Sequence, residues 1–279
     1  MQLKLACADF TFPLLPYDAV LDLIAAMGFT GVDIGLFQNR SHLQPSDQYT
    51  DVLGNAKALK AKLDARGLVA TDIFLQADND FYAFPFNSSD PAKLAHARDL
   101  FAKTLAYAQA AGSPHVTILP GVVEDDGYEA SFARCAEGLK WCVAEAQKAG
   151  IILGTEAHVG SIASNPAQAE RMVQAVPGLT LSLDYTHFVR MGMNDRDLDF
   201  LLQYAHHFHA RGAAPGRLQT TMSESAIDYA RVVKKMKEIN YPGWVGVEYT
   251  WNDWENCNRN DNISESMICK QQIVDAFNA

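Results

Sequence analysis

Four side chains that could hold a cation stand at the ends of four apolar segments. Glu156 closes "IILGTE" (151 to 156), Asp184 closes "LTLSLD" (179 to 184), His209 lies in "HHFHA" (206 to 210) and Glu248 closes "GWVGVE" (243 to 248). Desolvating a charge at the end of such a segment costs several kcal/mol unless a partner offsets it. A divalent cation shared by three carboxylates and one imidazole is that partner, because its charge removes their mutual repulsion. The donor set is oxygen-rich and borderline in softness. It suits six-coordinate Mn²⁺, with Mg²⁺ or Co²⁺ as alternatives, better than a thiolate-loving ion, and leaves two positions for substrate oxygens.

The elements that must bring these residues together repeat along the chain. Short β-rich runs at 3 to 8, 31 to 35, 68 to 75, 115 to 119, 151 to 156, 179 to 184, 206 to 210 and 243 to 248 alternate with helical stretches. The helical periodicity covers 17 to 27, 50 to 66, 91 to 111, 128 to 149, 165 to 176, 225 to 239 and 264 to 277, with a shorter piece near 197 to 204. Gly28, Gly67, Gly112 and Gly150 follow helices, while Asp90, Ser164 and Ser225 stand where N-caps belong. Alternation implies parallel pairing, and eight units in 279 residues match a single (β/α)₈ TIM barrel of the α/β class spanning 1 to 279. A doubly wound sheet would need a Gly-rich phosphate turn after its first strand, and "DFTFPLLPYD" is none. In a barrel the strand tips converge over one mouth. The longest irregular stretches, 76 to 90 and 249 to 262, are expected on that same side.

The order "TEAH", "LDYTH", "HFHAR", "GVE" resembles the xylose isomerase-like superfamily of sugar isomerases and epimerases, in particular its ketose 3-epimerase and inosose-processing branches. The resemblance implies that Glu156, Asp184, His209 and Glu248 are metal ligands. It also implies that His187 contacts a substrate oxygen and that Arg217, in "PGRLQT", reaches the sugar. Arg211 departs from the family, which often carries Asp or Asn there, and with Arg217 makes an anionic substrate group conceivable; the alternative is a surface ion pair. His158 is assigned to a substrate hydroxyl or to support of the ligands, and His207 to a satisfied core position. Phe10, Phe12, Phe37, Trp251 and Trp254 offer walls for an apolar sugar face. Phe81, Tyr82, Phe84 and Phe86 suggest a lid or, preferably, a subunit contact in a homo-oligomer, dimer or tetramer.

The chemistry implied is proton transfer next to the carbonyl of a ketose or keto-sugar through a metal-held enediolate, with Glu156 and Glu248 as the catalytic acid–base pair. Dehydration from a keto-sugar or inosose on the same site is the alternative, and a non-catalytic sugar-binding barrel a further one. A formal charge of −10 disfavours a nucleic-acid partner and hence a repair nuclease. Five cysteines without CxxC pairs argue against a disulfide framework and a zinc knuckle. No apolar run suggests a membrane span, and "MQLKLACADF" lacks the apolar middle of a secretory signal, so a soluble cytoplasmic enzyme is expected.

Overall fold

The computed structural model describes residues 1–279. Ten strands form: β1 (Leu5–Ala8), β2 (Gly31–Phe37), β3 (Val69–Gln76), β4 (His115–Ile118), β5 (Ile152–Thr155), β6 (Thr180–Asp184), β7 (Ala205–Ala210), β8 (Gly212–Ala214), β9 (Arg217–Thr220) and β10 (Trp244–Val247). All but β8 and β9 pair in parallel and close on themselves in the order β1-β10-β7-β6-β5-β4-β3-β2. The expected (β/α)₈ barrel is therefore present. Its helices are α1 (Tyr17–Ala26), α2 (Pro45–Gln48), α3 (Val52–Asp64), α4 (Pro91–Ala111), α5 (Tyr128–Lys148), α6 (Pro166–Ala175), α7 (Tyr185–Arg190), α8 (Tyr229–Glu238) and α9 (Asn262–Asn278). No helix is long and apolar enough to cross a membrane.

Local chemistry sets the helix ends. Asp90 accepts a hydrogen bond from the Ala92 amide at 2.8 Å, Pro91 opens α4, and Gly112 closes it at φ 81°. Ser164 and Ser225 are not caps. Asn165 and Asp228 take those roles, each accepting a backbone amide at 3.0 Å. Residues 195 to 204 form a 3₁₀ segment, held to α8 by Arg231 ion pairs with Asp195 and Asp199. The antiparallel β8–β9 hairpin was not expected from periodicity, because each strand is only three or four residues long.

Alternation along the strands divides the core in two. Val32, Ile34 and Leu36 of β2 join the main apolar core, whereas Asp33 and Phe37 face the barrel interior. That interior is polar in its depth. His207 pairs with Asp33 at 3.0 Å, His115 with Asp72 at 2.7 Å, and Thr117 with Ser182 at 2.6 Å, all buried. His207 is thus a core histidine, as expected, but only half satisfied: Nε2 meets Asp33, while Nδ1 is buried without a partner. Gly246 makes room for this layer, since a Cβ there would fall 1.8 Å from Asp33 Oδ2. Gly246→Ala should therefore cost about 1–3 kcal/mol through overpacking. The readout is the denaturant midpoint, and an unchanged midpoint would show that the layer has slack.

Candidate metal centre

Strand register builds the site. Asp184 is in register with His209, and His209 with Gly246. Glu248, two residues beyond Gly246, therefore shares its face one layer nearer the mouth. The ladder continues past the strand ends: the Glu156 amide donates to Ile118 O at 3.1 Å and the Glu248 amide to Ala210 O at 3.0 Å. All four side chains are buried at the same end of the barrel.

The donor atoms converge. His209 Nδ1 lies 2.8 Å from Glu156 Oε1 and 2.8 Å from Glu248 Oε2. An imidazole nitrogen carries at most one hydrogen, which cannot fully satisfy two carboxylates at the same distance, and Glu248 Oε2 is the buried oxygen left without a hydrogen-bond partner. Such an oxygen calls for a cation. Glu156, His209 and Glu248 offer atoms within 4.8 Å of one another, as do Glu156, Asp184 and His187. The residues fit a divalent ion of the oxygen-seeking type.

Electrostatics agree with that fit. Burial raises the Glu156 carboxyl to about 7, with the neighbouring Glu248 adding to the rise and His209 opposing it. Burial alone would lower His209, but Glu248 and Glu156 hold it well above the ordinary imidazole range. Asp184 would also rise on burial, yet the Arg211 guanidinium, helped by His187 and His209, keeps it below the usual carboxylate range. Arg211 is buried and not on the surface. Its Nη2 donates to Asp184 Oδ2 at 2.9 Å, its Nε to Thr186 Oγ1 and its Nη1 to the Glu248 carbonyl.

A cavity of about 610 Å³ opens above these groups, lined by Phe10, Phe37, His158, His187, Arg211 and Trp251 among others. His187 Nε2 stands 3.6 Å from Asp184 Oδ2 and 3.8 Å from Glu156 Oε2, and burial drives its imidazole down to about 3. His158 donates from Nδ1 to Val159 O at 2.6 Å, which fixes the tautomer. Its Nε2, buried and unpartnered, is then a hydrogen-bond acceptor, and burial lowers the ring to about 4.

Two expected contacts fall elsewhere. Arg217 does not line the cavity: it sits at the start of β9, half exposed, and pairs with Glu224 at 2.9 Å. The β8–β9 hairpin accounts for this displacement, since it turns the chain away between Arg211 and Arg217. Phe12 packs into the main apolar core, and Phe10 is the wall residue. The 3₁₀ turn at Asp9–Thr11 sends the two rings to different sides. Trp251 and Trp254 line the cavity as expected. Of the ring cluster after β3, Phe86 is buried, Phe84 packs on His96 and Phe81 on His158, leaving Tyr82 as the exposed member. Arg40, Asn39, Gln76 and Asn252 also line the cavity. Sequence reasoning missed them because polar loop residues carry no periodic signal.

Comparison with known proteins follows the same lines. Residues 21–271 match the family model described as the xylose isomerase-like TIM barrel. A putative L-ribulose-5-phosphate 3-epimerase, SgbU, of Escherichia coli (strain K12) is 26% identical over 174 residues, 57% of this chain and 60% of that protein. The match thus spans less than two thirds of that relative's length. Among solved structures, an L-ribulose 3-epimerase superposes with a TM-score of 0.78 at 16% identity, covering 99% of this chain and 95% of the other. A D-psicose 3-epimerase crystallised in the presence of D-fructose gives 0.77 at 13%, covering 99% and 100%. The IOLI protein with a binding zinc atom gives 0.74 at 18%, covering 99% and 98%. At these identities the structures speak for the fold, and the family model covers most of the length: the chain belongs to the xylose isomerase-like TIM barrel family.

Proposed function

We propose that the chain is a divalent-metal-dependent sugar isomerase or epimerase that moves a proton next to the carbonyl of a keto-sugar, with Mn²⁺ as the working ion. The observation that carries this is the pair of carboxylates, Glu156 and Glu248, each 2.8 Å from one imidazole nitrogen at the floor of a sugar-sized cavity. A cation on Glu156, Asp184, His209 and Glu248 would polarise a carbonyl and its neighbouring hydroxyl and stabilise charge developing between them. Glu156 and Glu248 then serve as the proton carriers. β6 and β7 separate their strands on one side of the barrel, so the two carboxylates reach a bound substrate from different directions. Burial and the neighbouring Glu248 raise the Glu156 carboxyl, which strengthens it as a proton acceptor relative to an exposed carboxylate, and a bound cation would bring it back down. His187 binds a substrate oxygen, His158 Nε2 accepts from a hydroxyl, and Phe10, Phe37 and Trp251 cover the apolar face of the ring.

The relatives named as 3-epimerases support the epimerase form of this reading. Elimination requires an acid at the leaving group, and His158, neutral with its lone pair inward, is a poor one. A panel of keto-sugars with the Mn²⁺-loaded protein, followed by NMR, tests the proposal: interconversion of two epimers or isomers supports it, while no turnover across the panel counts against it. Binding of the ion should also be visible in stability. At hundredfold saturation it contributes about 2.7 kcal/mol, so chelation should lower the melting temperature by roughly 5 °C. An unchanged melting temperature after complete metal removal would contradict the assigned ligands.

A further inference from the structure

Arg40 is a solvent-exposed cation at the rim of the cavity, with no carboxylate paired to it. It lines the cavity, its guanidinium sits 5.1 Å over the Phe37 ring, and it has neither an ion-pair nor a side-chain hydrogen-bond partner. The other wall arginine, Arg211, is fully engaged by Asp184, Thr186 and the Glu248 carbonyl. Asp253, the acidic wall residue outside the metal centre, accepts from Asn258 and makes no ion pair with Arg40. The turn that presents Arg40 is firmly built. Asn39 adopts the left-handed φ of 60°, and buried Ser41 donates to Gly35 O at 2.6 Å while accepting the Phe37 amide at 3.0 Å. Glu156 and Glu248 lie close enough for their charges to act on Arg40, so it faces the same space as the metal centre.

We propose that Arg40 receives an anionic group, a carboxylate or a phosphate ester, on the part of the keto-sugar that the metal centre does not hold. The inference rests on the keto-sugar reading and narrows its substrate class to acidic or phosphorylated ketoses. A planar guanidinium with free donors matches either group bidentately. The cation–π contact with Phe37 holds the guanidinium over that ring without consuming those donors.

Calorimetric titration of the Mn²⁺-loaded protein with D-fructose, D-fructose 6-phosphate and D-fructuronate tests this and distinguishes the two anionic sources. At least one anionic ketose should bind about tenfold or more tightly than D-fructose, with the preference shrinking as salt is raised. Arg40→Ala should bring the ratio of anionic to neutral affinity close to one, and Arg40→Lys should restore part of it. Equal affinities in the wild type, a preference that survives Arg40→Ala, or no binding of either anion at millimolar concentration would overturn the proposal. Affinity is read without turnover, so the two readings fail separately. An intact anion preference without solvent exchange at any substrate carbon counts against proton transfer and not against Arg40. Exchange without an anion preference counts against Arg40 alone.

Discussion

Glu156→Gln and Glu248→Gln are each expected to lower turnover by about a thousandfold while metal content stays near that of the wild type. A glutamine keeps an oxygen for the cation at nearly the same place, but it cannot accept a proton. The expectation follows from the shared position of the two carboxylates, each 2.8 Å from His209 Nδ1, and from their approach on strands separated by β6 and β7. In an epimerase both variants stop net conversion, because each face of the carbon needs its own proton carrier. In an isomerase one variant is far more damaging than the other. Turnover within tenfold of wild type in both would remove these residues from the chemistry.

A second pair of variants separates holding the ion from holding the substrate. His187→Ala should retain the metal and lose about a hundredfold or more in turnover if, as proposed, His187 serves a substrate oxygen and not the cation, although its Nε2 lies 3.6 Å from Asp184 and 3.8 Å from Glu156. Asp184→Ala should lose the metal. It should also unfold more readily, by about 3–5 kcal/mol, since it strands the buried Arg211 charge that Asp184 balances at 2.9 Å. Elemental analysis and denaturant melts read both effects. Equal metal loss in the two variants would show that the stretch from Asp184 to His187 has been assigned the wrong way round.

The barrel and the clustering of Glu156, Asp184, His209 and Glu248 at one mouth were legible because strand-terminal charges after apolar runs are costly without a shared partner, and parallel alternation leaves one mouth for them to meet in. What escaped was set by short, irregular backbone. Arg217 stands in a sequence that reads as the approach to a sugar, yet the β8–β9 hairpin places it beside Glu224. Phe10 and Phe12 are both aromatic and two residues apart, which in a strand would give one face. The 3₁₀ turn between them breaks that rule. Arg211 was visible as an unusual cation, but whether it lay on the surface or under the metal centre depended on tertiary packing against Asp184 and Thr186. Arg40 lies in a polar turn whose sequence gives no periodicity, and only the fold places this exposed guanidinium on the wall of the cavity that holds Glu156 and Glu248.

Proton transfer next to a carbonyl at this metal centre is tested most directly by incubating the Mn²⁺-loaded protein with its keto-sugar in D₂O. Deuterium should appear on a carbon adjacent to the carbonyl, in recovered substrate, in product or in both, and should be lost in the Glu→Gln variant of the residue that removes the proton. Turnover with no deuterium incorporated at any carbon, the cation in place, would contradict exchange-competent proton transfer by Glu156 and Glu248 and point to a hydrogen that never leaves the substrate.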